Sequence, residues 1–135
     1  MRKARKDGEA PLVSEPTPDF FSALSFFWRG IPAVFFFASC ILNVALWVAL
    51  FVRIGIGAGT VVLRYNVYFG IDLTGSPRQA FLIPIMVTIF FVMNMLLAFL
   101  FVRRGTPFLG LFLTVSSFFI HVAASIAVLA LIRVN

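Results

Sequence analysis

The chain has 135 residues, 61% hydrophobic and only 12% charged, with a mean hydropathy of +1.06, whereas a soluble domain is ~45–50% apolar and ~25% charged. Its net charge of +6 comes from eleven Lys and Arg residues in short clusters beside apolar runs. That placement speaks for membrane orientation and against a nucleic-acid face.

Three uncharged runs, residues 31–52, 80–102 and 107–132, each reach the ~20 residues that carry a helix across ~30 Å of hydrocarbon. Stretches such as Phe90-Phe91-Val92-Met93 do not alternate, which excludes a β-barrel. The expected fold is all-α integral membrane: three transmembrane helices with an interfacial N-terminal helix and a short β-hairpin-like outward loop.

Residues 1–18 are polar, carry both charge signs and include Pro11, Pro16 and Pro18. They read as a disordered cytoplasmic tail, leaving 19–135 as a single membrane domain. Arg2, Lys3, Arg5 and Lys6 read first as a topology signal, with contact to anionic lipid as the alternative. Thr17 then fits an N-cap and Pro18 a first helical residue. Phe20, Phe21, Leu24, Phe27 and Trp28 recur at helical spacing, as in a short helix lying in the membrane interface before Gly30 and Pro32 turn the chain. The alternative is a first span that starts earlier and is tilted. Trp28 and Arg29 would mark the headgroup level.

Cys40, the sole cysteine, excludes an intramolecular disulfide. The preceding Phe37-Ala38-Ser39 is faintly like a lipoprotein cleavage site, but the apolar run continues well past Cys40. A buried, inert thiol is the better reading.

The outward loop, 53–79, opens on Gly55, Gly57 and Gly59. Thr60 stands where a dinucleotide fingerprint needs a third glycine and no lysine follows, so this is a linker. Thr60 to Gly75 is rich in β-branched and aromatic residues, and Asn66 and Gly70 offer turns, which predicts a short irregular hairpin. Tyr65, Tyr68 and Phe69 suit a membrane interface. Asp72 is the only acid after Asp19 and reads as a salt-bridge partner of Arg64 or Arg78, with ligand binding as the alternative. Ser76, Pro77 and Gln79 predict a capping box, and Pro84 a kink near the outer end of the second span. Gly105, Thr106 and Pro107 predict a helix stop, a cap and a first helical residue, hence a tight hairpin of the second and third spans.

Polar residues inside the spans include Ser39 and Asn43, then Thr88 and Asn94, then Thr114, Ser117, His121 and Ser125. Counted at 1.5 Å per residue from the cytoplasmic ends, Asn43 lies ~18 Å deep, His121 ~21 Å and Asn94 ~12 Å. Asn43, Asn94, Ser117, His121 and Ser125 are therefore the candidate intramembrane polar contacts. Asn43 and His121 meet, with Asn94 a turn below, as glue that sets helix register. A proton relay is the sharper alternative, but no Asp or Glu lies within a span.

With the N-terminus cytoplasmic, that side holds seven basic residues (Arg2, Lys3, Arg5, Lys6, Arg29, Arg103, Arg104) against four outside (Arg53, Arg64, Arg78, Arg133). The expected topology is multi-pass in the plasma membrane, N-terminus cytoplasmic and C-terminus outside.

Tyr65-Asn66, Gly70, Asp72, Gly75 and Pro84 resemble, in order and placement, the extracytoplasmic segment and proline-bearing second span of a family of small bacterial membrane proteins. That family includes the immunity protein against a sporulation-delaying toxin. The match covers about a quarter of the chain; Arg64 replaces the family's histidine and both early prolines are missing. The chain looks closer to uncharacterised three-span bacterial proteins, a resemblance that imports no activity.

No catalytic, cofactor-binding or metal-ligand pattern stands in the sequence. The expected function is non-enzymatic and without cofactors: an accessory or scaffold subunit packing against other membrane proteins or itself, with lipid around it. The alternative is a sensor or immunity-type protein binding an extracytoplasmic peptide through the loop, with Arg64, Tyr65, Asn66, Gly70, Asp72 and Gly75 as its candidates. A proton-coupled transporter comes third.

Overall fold

A computed structural model describes residues 19–135 apart from Ile56, Ala58, Val67 and Phe69, and without the side chains of Arg64, Tyr65, Asn66 and Asp72. The tail, with its Thr17 and Pro18 cap, lies outside the described residues.

Helix α1 (Phe20–Ser25) runs into a 3-10 turn at Phe26–Trp28. The chain then extends at Arg29 and takes a φ of +66° at Gly30, a backbone state that side chains disfavour. The apolar stripe is thus a helix of its own and not an early start of the next one. It folds back on the bundle: Ala23 and Phe27 are buried, and the Phe20 ring stands 5.4 Å from that of Phe99. Helix α2 (Gly30–Arg53) follows, with Pro32 in its first turn, where no donor is needed.

The predicted hairpin is present as β1 (Val61–Asn66) antiparallel to β2 (Gly70–Gly75), closed by the pair Asn66 and Gly70. The register skips at Leu63 in β1 and at Asp72 in β2. The first bulge lets Leu63 pack on the helix core beside Ile54, Ile83 and Ile132. At the other end, Asn135 acts as a substitute strand residue. Its Oδ1 accepts from the Val62 N–H at 2.7 Å and its Nδ2 donates to the Val62 carbonyl at 2.9 Å, so the hairpin is tied to the end of the last helix.

Pro84 was expected to kink the second span; the finding is a break ahead of it. Helix α3 (Pro77–Ala80) stops, Phe81 turns, and α4 (Leu82–Arg103) begins. In a continuous helix the Pro84 ring would meet the Ala80 carbonyl and offer it no donor. The break puts Pro84 in a first turn, and the ladder resumes with Ile85 N–H on Phe81 O at 3.2 Å. The capping box at Ser76 does not form: Ser76 makes no side-chain cap, and its backbone carbonyl takes the Gln79 N–H at 2.9 Å instead.

Between α4 and α5 (Pro107–Val134) the chain turns within three residues. Gly105 has a φ of +79°. Its N–H reaches Val102 O at 3.0 Å, and the Thr106 N–H reaches Phe101 O at 2.9 Å, the paired bonds of a Schellman stop. Thr106 also sends its hydroxyl back to Phe101 O at 2.8 Å. It finishes α4 and makes no side-chain cap on α5, contrary to the sequence expectation. One turn on, a Cβ at Gly110 would stand 2.6 Å from Val102 Cγ2 and 3.2 Å from the Ala98 carbonyl. The hairpin closes because that position has no side chain.

Three helical stretches, of 24 (Gly30–Arg53), 27 (Pro77–Arg103) and 28 residues (Pro107–Val134), are long and apolar enough to cross a membrane. Helix α5 is the shared element: it packs along both α2 and α4, which meet each other more sparingly. Its buried face runs Gly110, Thr114, Ser117, His121, Ala124, Val128 and Leu131, small and polar at one end and aliphatic at the other. The aliphatic end joins Leu46, Leu50, Ala80, Phe81 and Val87 in a core beneath the hairpin.

Candidate functional site

The polar residues of the three long helices meet around His121, which is fully buried. Its Nδ1 lies 2.7 Å from the Ser117 carbonyl and its Nε2 lies 3.2 Å from Asn43 Nδ2. A carbonyl only accepts, so Nδ1 carries the proton and Nε2 receives the Asn43 amide hydrogen. The edge of the ring contact with Phe91, centroids 5.3 Å apart at 89°, closes the remaining side.

Asn43 spends its second amide hydrogen on Thr88 Oγ1 at 3.0 Å. Thr88 is the junction of the site. Its oxygen also accepts from Trp47 Nε1 at 3.3 Å, and its own hydrogen goes to the Pro84 carbonyl at 2.7 Å, with Asn43 Oδ1 a second acceptor at 3.3 Å. Three helices are thereby joined through one amide. Asn94 donates to Ser117 Oγ at 3.0 Å, so α4 and α5 share a further bond one turn from His121.

Other polar groups serve their own helix. Ser125 donates to the His121 carbonyl at 2.8 Å, Thr114 to Gly110 O at 2.9 Å and Ser39 to Phe35 O at 2.8 Å. Ser125 therefore bonds within its own helix and not, as expected, across to another. Cys40 is half-exposed on α2 and not buried as expected. No buried side-chain nitrogen or oxygen among the described residues lacks a partner, which is what low-dielectric surroundings require.

Thr88 and Trp47 belong to this site and were not among the sequence candidates. A signal existed for Trp47, which follows Asn43 by four residues and so shares its face. Thr88 is one of only two polar residues inside the α4 run.

The loop candidates are placed only in part. Arg64, Tyr65, Asn66 and Asp72 have their backbones in the paired strands, and their side chains, with the proposed Asp72 ion pair, lie outside the description. Gly70 has a φ of +76°. Gly75 is crowded: a Cβ there would overlap the Gln79 side chain and touch Leu63. Tyr68 is exposed. Among the described residues no group of three or more His, Cys, Asp or Glu is placed to hold a metal.

Comparison with protein-family models, curated proteins and solved structures finds no match to this chain.

Proposed function

We propose that this chain is a multi-pass plasma-membrane protein, N-terminus cytoplasmic and C-terminus outside, acting as a non-enzymatic accessory or scaffold subunit that packs against other membrane proteins. One observation carries the reading. On α2 the large side chains Val34, Phe37, Ile41, Val44, Val48 and Phe51 are all exposed, and they repeat at alternating steps of three and four residues. That is the a/d seam of helix-to-helix packing, with β-branched residues at every a position. Ala38 and Ala45 lie beside it, seven apart, and permit close approach of a second backbone. The polar groups turn inward and find partners within the bundle, so the outer face is left for a partner helix or a second copy.

The test is extraction in mild detergent, co-purification and mass measurement of the intact assembly. A stable larger complex is expected, lost when Ile41→Ala and Val44→Ala are combined. A monomeric wild type overturns the reading.

A second reading rests on the hairpin. A two-stranded sheet leaves the outer edge of β2 unpaired, and such an edge accepts an extended peptide through backbone bonds. Capture of a secreted peptide that depends on residues 61–75 would favour this sensor or immunity role over the scaffold.

A further inference from the structure

On the cytoplasmic side of the proposed topology, α1 and the Phe26–Trp28 turn lean across the ends of α2 and α4 and leave a groove of about 360 Å³, within the range of small-ligand sites. Its walls are apolar throughout: Phe27 and Trp28 on one side, Phe36 on α2, and Phe91, Leu96 and Phe99 along α4. We propose that this groove holds an acyl chain of an anionic phospholipid, whose headgroup rests on Arg29, Arg103 and Arg104; the proposal depends on the membrane reading above.

Three observations converge on that occupant. The first is depth. Phe99 and Phe91 stand four and twelve residues below Arg103 on one helix, or ~6 and ~18 Å. The groove therefore spans the hydrocarbon of one leaflet, half of ~30 Å. The second is charge. Arg103 follows Phe99 by four residues and continues the stripe of Val92, Leu96 and Phe99, Arg29 directly follows Trp28, and Arg29, Arg103 and Arg104 are all exposed. A rim of three cations and no described acid other than Asp19 suits a phosphate carrying a net negative charge. The third is closure. At its inner end stands Phe91, which stacks on Phe36 of the opposite wall and meets the His121 ring edge to face, so the groove ends where the polar site begins and admits only the hydrocarbon part of a lipid.

Trp28 in the wall and Trp47 at the opposite end supply the test. The full chain is reconstituted in vesicles of brominated phosphatidylcholine or brominated phosphatidylglycerol, and the Trp28 signal is taken as the difference between wild type and Trp28→Phe. Bromine should quench Trp28 with a relative affinity at least about threefold in favour of the anionic lipid, less than the roughly fivefold that ~1 kcal/mol from even one of the three basic residues allows. Trp47 should show no headgroup preference. Replacing Arg29, Arg103 and Arg104 with Gln should bring the Trp28 preference to about unity. Equal quenching of Trp28 by the two lipids, or a preference that survives the triple replacement, overturns the proposal while leaving the membrane reading intact. Lipid that quenches neither tryptophan overturns both.

Discussion

His121 has two polar neighbours, and each settles one nitrogen. The Ser117 carbonyl takes the Nδ1 proton and the Asn43 amide supplies the Nε2 bond, so the ring is held in one tautomer with no freedom to turn. Removing either partner strands the other in an apolar interior. We expect Asn43→Ala and His121→Leu each to lower stability by ~1–3 kcal/mol, the cost of a buried group left unpaired. In a double-mutant cycle of reversible unfolding in mixed micelles the pair should couple by ~0.6–1.7 kcal/mol. Strict additivity would show that the two residues do not act together. Depth was readable in the sequence because rise per residue is constant, and residues counted to one level stand 3.2 Å apart. Azimuth was not. Which face of α4 looks at α2 depends on packing, and with it the role of Thr88 as a junction.

At the scale of elements, the hairpin of α4 and α5 depends on what is missing at Gly110. Gly110→Leu should cost ~1–3 kcal/mol by overpacking against Val102 and the Ala98 carbonyl. Thermal unfolding in detergent would register the loss, and an unshifted transition would mean that the helices part there without penalty. The hairpin of β1 and β2 is a two-stranded unit, marginal alone in water, and Asn135 ties it to α5 through two bonds at Val62. Asn135→Ala should therefore speed hydrogen exchange at the Val62 amide by about fivefold, as expected for ~1 kcal/mol, while amides in the middle of α5 stay protected. The Gly105 turn was legible because left-handed backbone leaves a residue signature. The helix caps were not: Ser76 and Thr106 have the right side chains, yet their backbones lead into turns that use carbonyls and the preceding helix instead. Pro84 marked the right place for a disruption, but whether a proline bends a helix or ends it depends on what the chain before it packs against. Here that chain is a separate short helix, with Pro77 and Ala80 buried.

For the whole molecule, the proposed orientation makes a prediction that needs no partner. In a Cys40→Ala background, Arg104→Cys should react with an impermeant maleimide only after the cytoplasmic side is opened, and Thr74→Cys should react from outside in intact cells. The reverse pattern would invert the topology. The three long apolar helices were readable from hydropathy alone. The arrangement around α5 was not, because the runs are apolar on every side and only small and polar residues on α5 distinguish its inner face.

The unequal connections around α5 bear on the order of assembly. Helices α4 and α5 are joined by a turn of three residues, whereas α2 is separated from α4 by residues 54–81, and closing the longer connection costs more entropy. We therefore expect the hairpin to form first and to present Thr88 and His121 on an open flank. Until α2 arrives, the His121 Nε2 acceptor has no amide donor and Thr88 keeps only the Pro84 carbonyl of its own turn. Asn43 and Trp47 supply the missing partners at once. A half-built molecule thus differs from a finished one by an uncovered polar patch, and docking of a single helix erases it.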